Sequence, residues 1–153
     1  MKSLCSYKGS VYAYKGFEHD LTCKGFQYEV GKTYTMNGDP ILCEQGFHCC
    51  VKLSDVFTYY PIVKWAPSAK NNGVIVETVS TKNRYCLVEV LGDVDVDPYS
   101  SKLSTNKINI ILELTSTDII RVLSNECEEA ANRYKRVGDW LQKAMHVKIE
   151  EDK

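Results

Sequence analysis

Several short stretches of the chain alternate apolar and polar residues or are apolar on both sides, and these patterns predict β-strands. Val11 to Phe17 alternates aromatic and small residues after a β-branched start. Tyr85 to Leu91 places apolar side chains on both of its faces, and Lys107 to Leu114 has a similar composition. We predict strands at all three, the last two inside a sheet. Shorter strands are expected between Glu18 and Met36 and at Val74 to Val79.

Helical patterns occur at two places. Ser54 and Asp55 offer an N-cap for a short helix from Val56 to Tyr60, which Pro61 would end. From Thr115 onward, apolar residues recur at helical spacing almost to the C-terminal end. The sequence therefore predicts an α+β fold. It would be one domain over residues 1–153, with a mixed, largely antiparallel sheet, a short helix after a turn at residues 46–50, and a C-terminal helical segment packed on the sheet.

Composition narrows the class of protein. Hydrophobic residues make up 44% of the 153 residues and charged residues 25%, as in globular rather than disordered chains. No apolar run reaches the roughly eighteen residues that a membrane-spanning helix needs, and the first residues lack the apolar segment of a signal peptide. The seven cysteines are expected to be free thiols in a reducing compartment. We therefore expect a cytoplasmic protein without a membrane partner.

Charge argues against a protein that coats nucleic acid. The formal net charge is -1, and lysines and arginines are scattered along most of the chain. Nucleic-acid binding depends on clustered basic residues that neutralise phosphates. Nucleic acid is therefore not the expected partner.

A series of short motifs resembles an uncharacterised domain that is common in bacteriophage and prophage genomes. The motifs are YKGF at Tyr14 to Phe17, CKGFQYEVGKTY at Cys23 to Tyr34, LCEQGFHCC from Leu42 with DVFTYYP after it, VEVLGDV at Val88 to Val94, and SKLSTNKINIILELT at Ser101 to Thr115. The resemblance covers residues 12–124 in order and leaves 125–153 as a helical extension. It implies a small phage-type accessory protein in the host cytoplasm, and it implies no particular activity.

The order of some residues also resembles ADP-ribosyltransferase-like folds, which hold NAD. In that comparison the first-strand tripeptide is Tyr14 to Gly16, the aromatic near a turn is Phe47 with His48, the helical tyrosines are Tyr59 and Tyr60, and the late glutamate is Glu113. The first motif departs from the His or Arg of such folds. The resemblance implies His48, Tyr59 and Glu113 as candidate catalytic residues and is an analogy of fold.

The residues around Gly46 carry the candidate chemistry. His48 with Cys43, Cys49 and Cys50 offers a zinc site or a thiolate nucleophile. However, the C-x5-C-C spacing is unlike structural zinc sites, and buried cysteines are common in protein cores, so we expect no metal and no cofactor. A short acidic stretch contains Asp93, Asp95 and Asp97 but lacks the glycine and glutamate of an EF-hand loop, which favours a solvated surface loop.

Aromatic residues and lysines concentrate in the first sixty residues, and together they suggest a pocket for a planar anion such as a nucleotide. The same aromatics can instead fill the core of a small β-rich domain. The candidate ligand-binding residues are Tyr14, Lys15, Phe47, His48, Tyr59 and Tyr60. No P-loop or GxGxxG motif accompanies them.

Three functional hypotheses follow. The first is a phage-type accessory protein that inhibits a host defence system, by sequestering a nucleotide-like signal or by blocking a host protein. The second is an NAD-dependent ADP-ribosyltransferase-like enzyme that uses Glu113. The third is a virion or assembly component.

Overall fold

A computed structural model describes residues 11–67 and 76–151 of the chain. The predicted α+β class is confirmed. The elements in chain order are β1 (Val11–Phe17), β2 (Thr22–Cys23), β3 (Phe26–Gln27), β4 (Thr33–Thr35), β5 (Phe47–Cys50), α1 (Leu53–Val56), β6 (Val63–Pro67), β7 (Val76–Ser80), β8 (Arg84–Val90), β9 (Val94–Val96), β10 (Lys102–Thr105), β11 (Lys107–Glu113) and α2 (Ser116–Glu151).

Seven strands form the main sheet in the order β4-β11-β8-β1-β5-β10-β9. Each pairing within it is antiparallel, and β2 with β3 and β6 with β7 form two small separate hairpins. The predicted strands at Val11 to Phe17, Tyr85 to Leu91 and Lys107 to Leu114 are the inner strands β1, β8 and β11. The predicted strand at Val74 to Val79 corresponds to β7, and its first two residues lie outside the described residues.

The hydrophobic core lies on one face of this sheet. Paired residues of an antiparallel ladder share a face, and the pairs Ala13 with Val88 and Val88 with Ile110 place three fully buried side chains together. Phe17, Cys86 and Ile108 extend this core and are also fully buried. On β8, Cys86, Val88 and Val90 are buried on this face, while Tyr85 is buried and Leu87 half-buried on the opposite face, as expected for a strand that is apolar on both faces.

Strand β1 is joined very differently to its two neighbours. It pairs with β8 along its whole length, from Val11 opposite Val90 to Phe17 opposite Arg84. Its described register with β5 consists of one pair, Tyr14 opposite Cys50. No further pair between β1 and β5 is described, so the pairing on this edge of β1 is much shorter than on the edge that faces β8.

The short helix α1 differs from the prediction. It spans Leu53–Val56 rather than Val56 to Tyr60, and its N-cap residue is Lys52, which makes no side-chain cap hydrogen bond. Asp55 is one of its first residues, and its carboxylate accepts a hydrogen bond from the Ser101 backbone N–H at 3.0 Å. Asp55 therefore connects the helix to the loop before β10 instead of capping it. Residues 57–60 continue as turns.

The chain divides into two compact units, residues 1–116 and 117–153. The second unit consists of most of α2, which is continuous over 36 residues. Neither Asn125 nor Gly138 interrupts it, because an isolated glycine in a helix costs only about 1 kcal/mol, which the many helix-forming neighbours outweigh. In the described residues, no helix combines the length and hydrophobicity required to cross a bilayer.

Candidate functional site

A cavity of about 310 Å³ is lined by residues of β1 and β5. Its walls come from β1, the β2–β3 hairpin, β5, the turn after α1, and β10. All six residues that the sequence suggested as ligand-binding line this cavity: Tyr14, Lys15, Phe47, His48, Tyr59 and Tyr60. The structure thus brings them together, while their role in binding stays a prediction.

Two glycines allow the walls to come together. The ring of Tyr60 packs directly on Gly16, where a methyl group would lie 2.6 Å from the Tyr60 Cβ. Gly46 has φ +111°, a conformation that favours glycine. A Cβ at Gly46 would also come within 2.9 Å of the Thr105 carbonyl oxygen. This turn directs Phe47 and His48 into β5 at the edge of the cavity.

Aromatic rings form the apolar wall. Phe26 and Tyr28 pack edge to face with their centroids 4.7 Å apart, and Phe47 lies 6.3 Å from Tyr28. Behind them, Phe17 and Tyr34 contact Tyr28 at 5.2 and 5.1 Å. Tyr28 is buried, whereas Phe26 is 47% exposed at the cavity. The sequence suggested either a pocket or a core for these aromatics. The structure shows one cluster that does both, because some of its rings fill the core and others line the cavity.

Lys15 places a positive charge at the bottom of the cavity. The residue is only 3% exposed. Its Nζ donates to the His48 carbonyl oxygen at 2.8 Å and to Cys23 Sγ at 3.5 Å, and it lies 5.2 Å from the Tyr28 ring centroid. A carbonyl, a thiol and a π-face are neutral or only partly negative partners. Burial of a cation without a carboxylate partner is costly, and a nearby anion would offset part of that cost.

Two further lysines, Lys24 and Lys102, line the cavity. The Nζ of Lys102 donates to Cys43 Sγ at 3.2 Å and lies 4.3 Å above the ring of Tyr59. None of the residues that line the cavity is an aspartate or a glutamate. Within residues 11–67 and 76–151, neither of these lysines nor Lys15 forms an ion pair with a carboxylate. The cavity therefore has a positive electrostatic potential that favours anions.

His48 is a neutral side chain in this environment. Burial, together with the smaller effects of the positive charges of Lys15, Lys102 and Lys24, lowers its pKa to about 4. Its Nε2 accepts a hydrogen bond from the Cys43 backbone N–H at 2.9 Å, so this nitrogen carries no proton and the ring proton resides on Nδ1. A neutral imidazole here helps to fix the turn that holds Cys43.

Cys49 and Cys50, the two cysteines that follow His48, are poor nucleophiles. Cys49 and Cys50 are buried, and burial raises their pKa values to about 12 and about 11. A thiol with such a pKa remains protonated at neutral pH, whereas nucleophilic attack and zinc binding require the thiolate. Among the described side chains, no group of three or more histidines, cysteines, aspartates or glutamates is placed to hold a metal ion.

The structure places Glu113 away from the cavity. Its two carboxylate oxygens accept hydrogen bonds from the Arg84 guanidinium at 2.7 and 2.6 Å, and this pairing lowers the pKa of Glu113. Glu113 does not line the cavity that contains His48 and Tyr59. A glutamate beside those two residues, as in the resemblance to ADP-ribosyltransferase-like folds, would therefore require a different arrangement.

The acidic stretch has structural roles on the surface. The Asp95 carboxylate accepts from the Leu42 backbone N–H at 2.8 Å, and Asp97 accepts from the Tyr99 backbone N–H at 2.9 Å. Asp93 accepts from the Asn106 side-chain amide at 3.3 Å. These carboxylates fix the ends of β9 and the loop that follows.

Sequence reasoning missed Lys102, which lies fifty-four residues from His48 in the chain. It enters the site because β10 pairs with β5 and places Lys102 opposite Cys50. No local motif marks it, since the pairing of strands distant in sequence decides its position. Lys32, another lysine of the first sixty residues, pairs with Glu29 at 2.6 Å and does not line the cavity.

Comparison with known proteins adds a family and no activity. No curated protein and no solved structure matches the chain. A family model described as a domain of unknown function, DUF7666, matches residues 11–122, nearly the same range as the predicted resemblance. This range contains β1 to β11 and every residue that lines the cavity, so the chain belongs to the DUF7666 family.

Proposed function

We propose that this protein binds a small planar anion of the nucleotide class in the cavity between β1 and β5. The observation that carries the proposal is the buried Lys15, whose charge has no carboxylate partner in the described residues. It lies beneath a wall of aromatic rings that a base can contact.

The two kinds of wall suggest how such a ligand would be oriented. Phe26, Phe47 and Tyr59 offer apolar faces to a base, while Lys15, Lys24 and Lys102 offer ammonium groups to a phosphate. A cavity of about 310 Å³ lies at the small end of ligand-binding pockets, which run from roughly 300 to 1,000 Å³. It suits one nucleotide unit, and a dinucleotide would extend outside it.

The biological role we propose is sequestration of a nucleotide signal, as expected for a phage-type accessory protein that counters host defence. Binding without turnover is favoured because the cavity lining lacks a carboxylate for acid–base work and because Cys49 and Cys50 are protonated. ADP-ribosyl transfer is the second candidate, favoured by the joint placement of His48, Tyr59 and Tyr60 at one cavity. Product analysis with NAD would distinguish the two.

A thermal-shift panel tests the proposal. The panel contains nucleoside mono-, di- and triphosphates, cyclic mono- and dinucleotides, and NAD, each with the matching nucleoside without phosphate as a control. A ligand at 100 times its dissociation constant adds about 2.7 kcal/mol to the free energy of unfolding. We expect a nucleotide to shift the melting temperature and its nucleoside to shift it far less.

Paired lysine variants locate the binding site. Lys102→Met removes a charge at the cavity, whereas Lys107→Met removes an exposed charge on β11. We expect the first variant to reduce the thermal shift and the second to leave it unchanged. A panel without any shift, or an equal shift in both variants, would reject binding at this cavity.

A further inference from the structure

The helix α2 carries a regular seam of small and apolar residues. Along Ile120 to Leu141 such residues recur at alternating intervals of three and four, the a and d positions of a heptad repeat. The residues are Ile120, Leu123, Cys127, Ala130, Tyr134, Val137 and Leu141. A repeat of this kind keeps one narrow stripe of the helix apolar over three heptads, which is the pattern of a coiled-coil seam.

Much of the seam is open to solvent. Ile120 is 65% exposed, Tyr134 76%, Val137 50% and Leu141 48%. Apart from Val122, the opposite positions from Arg121 to Asp139 are polar, and six of them are Arg121, Asn125, Glu128, Asn132, Lys135 and Asp139. A helix that is polar on one side and exposes a continuous apolar stripe on the other is suited to pack against a second helix.

We propose that α2 pairs with α2 of a second copy of this chain as an antiparallel two-stranded coiled coil. The charged residues beside the seam select this partner and its orientation. Two charged residues occupy the g positions next to the seam, Glu126 and Arg133. In antiparallel coiled coils g positions face g positions. In one antiparallel register, Glu126 of each copy would lie opposite Arg133 of the other, which forms two ion pairs across the interface.

The same register matches the seam residues by size. It places Ile120 opposite Val137 of the second copy, Leu123 opposite Tyr134, and Cys127 opposite Ala130. Large side chains therefore meet at both ends and small ones near the two-fold axis. Closely packed layers of this kind have the volume complementarity that helix interfaces require.

Two further residues fit this register. Trp140 is 66% exposed at a g position, and it would face Ile119 of the second copy and widen the apolar contact. Gly138, at an e position, would face Thr117, where its lack of a side chain leaves room. The overlap from residue 116 to 141 would span about 39 Å at 1.5 Å per residue.

A parallel pair fits the charges less well. In that orientation g positions face e positions of the next heptad, so Glu126 would meet Ala131 and Arg133 would meet Gly138. No charge would have a partner across the interface. The antiparallel arrangement is therefore the one that uses both charged residues.

Sedimentation equilibrium of the full chain over a wide concentration range tests the pairing. We expect a reversible monomer–dimer equilibrium. Val137→Glu, which places a charge in the seam, should raise the dimer dissociation constant at least tenfold. Asn132→Glu adds the same charge on the polar side and should leave it within about twofold. A monomer at every concentration, or an assembly larger than a dimer, would overturn the proposal.

Charge exchange tests the orientation. Glu126→Arg alone places two arginines opposite each other at both ends and should weaken the dimer about tenfold. The double variant Glu126→Arg with Arg133→Glu restores opposite charges and should recover most of the affinity. Glu128→Arg makes the same change on the polar side and serves as the control. If both single and double variants dimerise as the wild type does, the antiparallel register is wrong.

Discussion

The two sides of strand β1 show how one strand can support both a fold and a candidate site. Toward β8 it pairs along seven residues and contributes the fully buried Ala13 to an apolar core. Toward β5 it pairs once, at Tyr14 with Cys50, and then leaves a cavity. The paired side maximises hydrogen bonding and apolar burial, whereas the open side leaves Lys15 buried with neutral partners.

The two sides of β1 are expected to contribute differently to stability and to the proposed binding of an anion. Core residues on the paired side lose water and gain dispersion contacts on folding. On the open side, burying the Lys15 charge opposes folding, and the anion that we propose as ligand would offset this cost. Substitutions on the two sides are therefore expected to affect different measured quantities, and the predictions below use that difference.

The largest loss of stability is expected for substitutions in the core on the side of β1 that pairs with β8. Ile110 is fully buried on β11 against Val88, so Ile110→Ala removes apolar contacts and leaves a cavity. We expect the free energy of unfolding to fall by about 2–5 kcal/mol in denaturant titration. Nucleotide affinity of the folded fraction should stay within about twofold, since the change is distant from the lysines. A loss below about 1 kcal/mol would contradict the description of this side as a close-packed core.

A smaller loss of stability is expected where Gly16 allows the ring of Tyr60 to pack directly on β1. Gly16→Ala would place a methyl group against the Tyr60 ring, and Tyr60 cannot move freely because its hydroxyl contacts Cys23 Sγ at 3.2 Å. We expect a loss of about 1–3 kcal/mol from overpacking, measured by thermal unfolding. Gly138→Ala is the control. No neighbouring atom obstructs a methyl group there, so it should gain up to about 1 kcal/mol.

The pH dependence of stability should reveal His48. Its folded-state pKa of about 4 lies below the ordinary value of 6.5, so the unfolded chain takes up the proton first as pH falls. Stability should therefore be complete above pH 6.5 and decline as pH falls toward 4. Because the side chain is partly solvated, we expect a loss of about 1–2 kcal/mol. His48→Gln should flatten the decline, and His19→Gln, at an exposed position, should not.

The smallest effect is expected at Glu113. Its ion pair with Arg84 is about one third exposed, with side-chain exposures of 37% and 35%, so Glu113→Gln should cost less than about 1 kcal/mol. Nucleotide binding measured by calorimetry should be unchanged, because Glu113 does not line the cavity. Loss of binding, or of any NAD turnover, in this variant would favour the ADP-ribosyltransferase-like hypothesis instead.

Local pattern predicted much of this fold, and long-range pairing decided the rest. The inner strands were predictable because apolar runs such as Tyr85 to Leu91 need burial on both faces. The start of α1 was predicted wrongly, since Asp55 binds the Ser101 backbone instead of capping the helix. That contact spans forty-six residues and leaves no local signal.

The candidate site also contains some residues that local sequence predicts and others that only long-range pairing places. The turn at Gly46 and the tyrosines before Pro61 were predictable as a group because they lie close in sequence. Lys102 was not, because its place depends on the register of β10 against β5. Glu113 was grouped with the site by analogy of fold, and its pairing with Arg84 could not be inferred from either residue alone.

Calorimetric titration of Lys15→Met tests the central claim most directly. The ligand is the nucleotide that gives the largest thermal shift, and Lys32→Met, which removes an exposed lysine, is the control. We predict that Lys15→Met lowers affinity at least thirtyfold, as expected for a buried charge that contacts an anion. The free energy of unfolding without ligand should be unchanged or higher, because the variant removes the cost of burying the charge. Equal affinity in the two variants, or no binding by the wild type, would contradict an anion site between β1 and β5.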